Sequence, residues 1–139
     1  MEKILDVTIE VNKNLEPKVL ARSILLCVEQ YFDLDRQTMN EMRTTLAEAI
    51  KNIYDHAYPN ENGKFNVIIN YDKKHERLKF KVIDFGIGIP NIKEAVEPHS
   101  VQCENEIRLT LGFTIMSAMS RDFHVESNSG VTLSFEYDA

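Results

Sequence analysis

The stretch that decides the fold is residues 78–90, which read LKFKVIDFGIGIP. Its first half alternates apolar residues with mostly charged ones, so it predicts a half-buried strand, and the same alternation places Asp84 on the apolar face. An ionised carboxylate on that face is costly unless it is paired or hydrogen-bonded. Gly86 and Gly88 follow directly, and glycine lets a ligand approach the backbone closely. A strand-end aspartate that caps a turn is the other interpretation that this stretch leaves open.

The residues on both sides of this stretch show two periodicities. Alternation of apolar and polar residues predicts strands at 4–11, 64–71 and 77–84 and a last hairpin over about 123–137. Helical spacing predicts helices that begin at Pro17, span about 36–55, and open near Gly112 after a long loop. The order βααββ, loop, αββ predicts the α+β class, a two-layer sandwich whose mixed, mostly antiparallel sheet is covered by helices on one face. A chain of 139 residues has the size of one domain, so we expect a single domain over 1–139.

The charge balance restricts the class of partner. The chain carries 16 Lys and Arg against 22 Asp and Glu, a net charge of -6, and the basic residues are scattered. Nucleic acids and anionic membranes attract a concentrated basic face, so we expect neither as a partner. No apolar run is long enough for a membrane span, and no secretory signal opens the sequence. Cys27 and Cys103 alone make no disulfide framework, so the expected location is the reducing cytoplasm.

Two polar residues, Glu48 and Asn52, interrupt the apolar pattern of the second predicted helix. They are four residues apart, so they share a helix face and lie beside the apolar stripe. A carboxylate and a carboxamide stacked in this way could hold a hydrated divalent cation or a reacting hydroxyl. On spacing alone, an exposed pair at the edge of an amphipathic helix explains them as well.

The third notable segment is residues 109–114, which read LTLGFT and open the last predicted helix. The preceding loop, from Gly86 to about Arg108, is rich in glycine, proline and polar residues, and only 91–96 offers a short helix. A loop of this length within one domain is usually functional. Helix N-termini present free N–H groups, so Gly112 there suits phosphate binding, although a glycine N-cap explains it too.

Taken in this order, the three segments resemble the N-box and the two glycine boxes of the Bergerat-fold ATPases, the superfamily of gyrase, histidine kinases and the mismatch-repair ATPases. The segments EAIKN at 48–52, HAY at 56–58 and LGFTIM at 111–116 are similar to those of the anti-sigma factor serine/threonine kinases. The resemblance continues to GVT at 130–132. It implies a histidine-kinase-like ATPase fold with an ATP lid at about 86–110.

The resemblance also implies a role for each residue that matches a motif of the family. Glu48 would be the general base for a serine or threonine hydroxyl, and Asn52 the ligand of Mg²⁺. Asp84 would accept a hydrogen bond from the adenine amino group of ATP. Further nucleotide contacts would come from Gly86, Gly88, Arg108, Gly112 and Thr132. Arg22 matches a partner-binding arginine of the family.

The function that the resemblance implies is that of an ATP-binding anti-sigma factor and protein serine kinase. Its partners would be a sigma factor and a small antagonist protein, which is the phosphate acceptor, and the chain would form a homodimer. Thr110 stands where family lids carry a glycine. This departure supports an alternative, a nucleotide-dependent partner-binding module with little or no phosphoryl transfer. A sensor histidine kinase is disfavoured, because the sequence starts at Met1 directly in the first strand, without a helical hairpin that carries a phosphorylatable histidine.

Overall fold

A computed structural model describes five segments of the chain, residues 4–13, 15–58, 63–86, 104–127 and 129–139, with the backbone alone at 104–108 and 110. Within these segments five strands and three helices form, and a π-helical turn at Ile53–Ala57 continues the second helix. The strands are β1 (Asp6–Asn12), β2 (Lys64–Asp72), β3 (Arg77–Asp84), β4 (Arg121–Ser127) and β5 (Val131–Asp138). The helices are α1 (Pro17–Tyr31), α2 (Arg36–Asn52) and α3 (Glu104–Ala118). None of the described helices combines the length and the apolar composition that a membrane crossing needs.

The first two helices begin where side chains satisfy their free N–H groups. The Glu16 carboxylate accepts from the N–H of Lys18 and of Val19, with Pro17 in the first turn. Asp35 Oδ1 accepts from the Thr38 N–H at 2.7 Å and caps α2 in the same way. These caps supply acceptors that the helix itself lacks at its start, so both helix origins follow from local sequence.

The five strands form one sheet in the order β1-β2-β3-β5-β4, and each of the four described pairings is antiparallel. Phe80 in the central strand is opposite Ile69 on one side and Phe135 on the other, and all three are buried. The rings of Phe80 and Phe135 stack with their centroids 5.1 Å apart. Along β3, Lys79 and Lys81 alternate with the buried residues and are exposed on the opposite face of the sheet. The helices and the core therefore lie on one face only.

The structure confirms the α+β sandwich and the predicted strands, and it differs from the predicted helices at two ends. α2 passes into the π-helical turn after Asn52. α3 begins at Glu104, eight residues before Gly112, so the prediction of a helix that opens near Gly112 was wrong. Residues 104–111 contain no Gly or Pro, and acidic residues near a helix N-terminus are stabilised by the helix dipole. The short helix predicted at 91–96 lies outside the described residues.

A buried hydroxyl ties the sheet to α2. Tyr137 on β5 is only 5% exposed, and its hydroxyl donates to Thr45 Oγ1 at 2.6 Å, with the Glu41 carbonyl at 3.2 Å as a second acceptor. Thr45 Oγ1 in turn donates to the Glu41 carbonyl at 2.8 Å. Burial raises the pKa of Tyr137 above its ordinary value, and the hydrogen bond with Thr45 only partly opposes this shift.

We expect Tyr137→Phe to lower the free energy of unfolding by about 1 kcal/mol, because one hydrogen bond is lost while Thr45 keeps its own acceptor. The raised pKa favours the neutral phenol in the folded state. The stability from this group is therefore complete below the unfolded pKa of about 10 and is lost as the pH rises through the folded pKa. Urea denaturation should show that the free energy of unfolding falls more between pH 7 and pH 10.5 in the wild type than in Tyr137→Phe. Equal losses would contradict this assignment.

Candidate functional site

The Asp84 carboxylate lies where the strand alternation placed it, on the apolar face at the end of β3, and is only 5% exposed. Its Oδ1 accepts from the N–H of Gly86 at 3.1 Å and of Val131 at 3.2 Å. Burial raises the pKa of Asp84, and these two N–H groups act in the opposite direction. Oδ2 accepts no hydrogen bond from any described residue. One oxygen is thus fixed by the backbone, and the other can accept from a ligand.

Gly86 follows Asp84 and packs against the π-helical turn. A Cβ at this position would lie 2.5 Å from the Ala57 carbonyl oxygen, so no larger residue fits without a backbone shift. The φ angle of Gly86 is not positive. Glycine is therefore required here for space and not for an unusual conformation. Gly88 lies outside the described residues.

Asn52 is the second buried polar group of the site, 9% exposed at the end of α2. Its Nδ2 atom is buried and has no hydrogen-bond partner in the described part of the chain. Asn52 and Asp84 border one pocket whose other walls are mainly apolar. The residues around it are Ala49, Asn52, Ile53, His56, Ala57, Asp84, Leu109, Phe113, Val131 and Leu133. Apolar walls with a few placed polar groups are typical of small-molecule sites.

Glu48 faces a different cavity, on the other flank of α2. This cleft lies between the start of α1 and the end of α2, and its lining residues are Glu16, Pro17, Lys18, Ala47, Glu48, Lys51, Tyr54 and Asp55. Gly112 brings α3 close to both cavities. A Cβ on Gly112 would lie 3.1 Å from both amide atoms of Asn52 and 3.4 Å from Glu48 Oε2. The carboxylate, the carboxamide and the α3 backbone therefore meet at one place.

Gly112 does not lie at a helix N-terminus, although phosphate binding by free N–H groups was predicted there. Because α3 begins at Glu104, Gly112 lies in the helix interior, and its N–H is not one of the free groups of a helix N-terminus. What glycine contributes in this structure is the absence of a side chain, which allows α3 to approach α2. Thr110 lies in the same helix, and for Arg108 only the backbone is described, also in α3.

The side chain of Thr132 does not face the pocket, against the prediction. Thr132 is opposite Ile83 on β3 and Glu126 on β4, whereas its neighbours Val131 and Leu133 line the pocket. Strand alternation sends successive side chains to opposite faces, so the residue beside Asp84 is Val131. Val131 was not among the predicted site residues, although the apolar alternation of the last strand contained the signal.

One further predicted residue, Arg22, can be placed. Arg22 is exposed on α1 and lines neither the pocket nor the cleft. Val19 and Leu26, three residues before it and four after it, are about half exposed on the same side of α1. Tyr58 was not predicted to be part of the site, but its hydroxyl accepts from the Phe85 N–H at 2.9 Å, next to Asp84.

Comparison with known proteins identifies the family of this chain. A family model described as the histidine kinase-like ATPase domain matches residues 12–136. The anti-sigma F factor of Lysinibacillus sphaericus is 30% identical over 122 residues, which cover 86% of this chain and 83% of that protein. The anti-sigma F factor of Clostridium beijerinckii is 28% identical over 123 residues, 88% of this chain and 85% of that protein.

A solved structure supports the fold. The histidine kinase domain from the Erythrobacter litoralis EL346 blue-light activated histidine kinase superposes with a TM-score of 0.58 at 15% identity. The alignment covers 88% of this chain and 60% of that one, and at this identity it concerns the fold alone. The family model and the sequence relatives also identify the family. The chain belongs to the histidine kinase-like ATPase family and, within it, to the anti-sigma F factors.

Proposed function

We propose that this chain is an ATP-dependent protein serine kinase that binds a sigma factor and transfers phosphate to a small antagonist protein. The observation that carries the proposal is the meeting of Glu48, Asn52 and Gly112 beside the pocket that contains Asp84. Phosphoryl transfer depends mainly on positioning and charge neutralisation, so a base, one cation and a bound nucleotide are sufficient. The anti-sigma F relatives support this function.

The pocket suits the adenine end of ATP. Asp84 Oδ2 can accept from the adenine amino group, while Val131, Leu133 and Phe113 offer apolar contact to the base. Gly86 follows Asp84 at the turn, where its lack of a Cβ makes room for the Ala57 carbonyl. The roles of Gly88 and Arg108 in nucleotide binding rest on the resemblance to the family, and Thr132 is not part of this proposal because its side chain faces away.

The two cavities on the flanks of α2 can hold the phosphate donor and the acceptor hydroxyl separately. Ala49, Asn52 and Ile53 line the nucleotide pocket, whereas Glu48 and Lys51 line the cleft. A nucleotide on one flank and an acceptor hydroxyl on the other would meet where Glu48 and Asn52 are closest to Gly112. Glu48, which makes no hydrogen bond with a described residue, is then placed to take the proton of that hydroxyl.

The residues present also fit Mg²⁺. The amide nitrogen of the buried Asn52 has no described partner, and the amide oxygen beside it is a ligand that this cation accepts. No group of three or more His, Cys, Asp or Glu forms a metal site in the described residues. Mg²⁺ in nucleotide sites commonly uses one or two protein ligands together with phosphate oxygens and water, so a single amide is consistent with it. When bound, the ion would neutralise phosphate charge.

The exposed side of α1 is the proposed partner surface. Arg22 lies between Val19 and Leu26 there, and half-exposed apolar side chains around an arginine are typical of protein interfaces. We assign this surface to the sigma factor or the antagonist. A homodimer, action in the cytoplasm and a lid at about 86–110 within one domain over 1–139 are further proposals that rest on the family resemblance.

The second candidate is a nucleotide-dependent binding module with little or no phosphoryl transfer. Thr110 favours it, because this residue occupies α3 where the family's lids carry a glycine. The two functions differ in their product. Incubation with Mg-ATP and the cognate antagonist leaves a phosphoserine on the antagonist if the chain is a kinase, and unmodified antagonist if it is a binding module. Mass spectrometry of the antagonist distinguishes them.

We expect Glu48→Gln to retain ATP affinity and to lose transfer by about 10²- to 10⁴-fold, the usual effect of removing a general base. Calorimetry gives the affinity, and the phosphoserine assay gives the rate. Lys51→Gln, on the same cleft, is the control, since it changes a charge without removing a base. Equal losses of binding and transfer in Glu48→Gln would assign a structural role to Glu48.

Asp84→Asn should abolish ATP binding with little loss of stability. The N–H groups of Gly86 and Val131 require an acceptor at the Oδ1 position, so the amide nitrogen must occupy the Oδ2 position and would meet the adenine amino group as a second donor. Calorimetry of ATP binding measures the loss, and the melting temperature without nucleotide shows that the fold persists. Unchanged ATP affinity would remove Asp84 from the adenine site.

Asn52→Ala should weaken ATP binding mainly when Mg²⁺ is present, because the amide is the proposed ligand of the ion. The measurement is the ATP Kd in Mg²⁺ and in EDTA. We expect the benefit of Mg²⁺ to shrink in the variant, while the Kd in EDTA stays near the wild-type value. The same fold-change in both conditions would mean that Asn52 contacts the nucleotide or the fold instead of the ion.

A further inference from the structure

The peptide bond that follows Asp84 is held by a tyrosine from outside the pocket. The Tyr58 hydroxyl accepts from the Phe85 N–H at 2.9 Å and donates to the Lys64 carbonyl at 2.8 Å. The Phe85 N–H belongs to the same peptide unit as the Asp84 carbonyl, so this hydrogen bond fixes the plane from which the Asp84 side chain projects. Tyr58 thereby connects the start of β2 to the end of β3.

Tyr58 is in turn held by three groups around it. The Lys13 ammonium donates to the carbonyl of Tyr58 and, at 3.1 Å, to that of Tyr54. The Tyr58 N–H donates to the Ile53 carbonyl at 3.1 Å. Gly63 lies against the ring, where a Cβ would be 2.4 Å from its carbons, and the Gly63 carbonyl accepts from the Lys13 N–H at 2.9 Å. The phenol is only 7% exposed and has little freedom to move.

We infer that Tyr58 is a positioning residue that aims the Asp84 carboxylate and sets the preference for adenine, and that Lys13 holds Tyr58 in place. This inference rests on the proposed function, in which Asp84 accepts from adenine. Adenine carries an amino group at the ring position where guanine carries a carbonyl oxygen. A carboxylate oxygen aimed at this position accepts from the first and repels the second, so the accuracy of its aim determines the discrimination.

The test compares base selectivity in Tyr58→Phe with that in a matched tyrosine variant. Tyr58→Phe keeps the ring and removes the hydroxyl. Its ATP Kd should rise about fivefold with the GTP Kd unchanged, because one hydrogen bond of average strength corresponds to about that factor. Tyr137→Phe is the control, since it also removes a buried hydroxyl that bonds to the main chain, but at a position outside the pocket. Its ATP-to-GTP ratio should equal that of the wild type.

The measurement is calorimetry with ATP and GTP on the full chain, together with the melting temperature of each variant without nucleotide. A structural role alone would lower the melting temperature and leave the selectivity ratio unchanged, so an unchanged ratio in Tyr58→Phe overturns the inference. An equal fall of the ratio in Tyr137→Phe also overturns it. A wild type that binds ATP and GTP equally would instead overturn the adenine assignment of Asp84, and the inference with it.

Lys13→Met supplies a second, milder variant that keeps the inference testable if Tyr58→Phe does not fold. We expect the ATP-to-GTP ratio to fall in the same direction as in Tyr58→Phe. Its matched control is Lys64→Met, which removes a surface ion pair with Glu10 close to the same end of the sheet. The ratio should stay at the wild-type value in Lys64→Met. A ratio in Lys13→Met equal to that of the control would overturn the role of Lys13.

Discussion

The burial of one carboxylate, that of Asp84, is the constraint on which the rest of the site depends. Its position on the apolar face of the sheet would be costly without hydrogen bonds, and two N–H groups supply them. Those groups belong to Gly86 and Val131, so the turn after β3 and the start of β5 must converge there. Gly130 makes the convergence sterically allowed, since a Cβ on it would lie 2.2 Å from the Asp84 carbonyl oxygen. The pocket is therefore a consequence of how this end of the sheet closes.

The second organising feature is α2, because residues of this one helix line two separate cavities. An α-helix has 3.6 residues per turn, so residues three and four apart share a face, while their immediate neighbours face elsewhere. Asn52 faces the pocket, Glu48 lines the cleft, and the two are near enough for Gly112 to lie against both. A spacing of four residues thus brings a proposed cation ligand and a proposed base to the boundary between the cavities.

Local patterns in the sequence were sufficient to predict the strands, the buried carboxylate and the Glu48 and Asn52 pair, because each follows from a backbone period of two or 3.6. Thr132 was misassigned because a motif match does not say which face of a strand a residue occupies, whereas the strand period does. The hydrogen bonds of Tyr58 with Phe85 and of Lys13 with Tyr58 join residues 27 and 45 positions apart. Such pairs leave no local signal, so only the folded chain reveals them.

The two ends of the proposed nucleotide site are built differently. At the Asp84 end, hydrogen bonds from two backbone N–H groups to the Asp84 carboxylate fix the geometry. At the other end, α3 approaches α2 at Gly112, and a glycine inside a helix is less favourable than alanine by about 1 kcal/mol. The close approach of α3 to α2 explains why glycine occurs there, because any Cβ would lie 3.1 Å from the Asn52 amide. Gly112 therefore sets the distance between two helices, and through it the size of the proposed phosphate site beside Asn52 and Glu48.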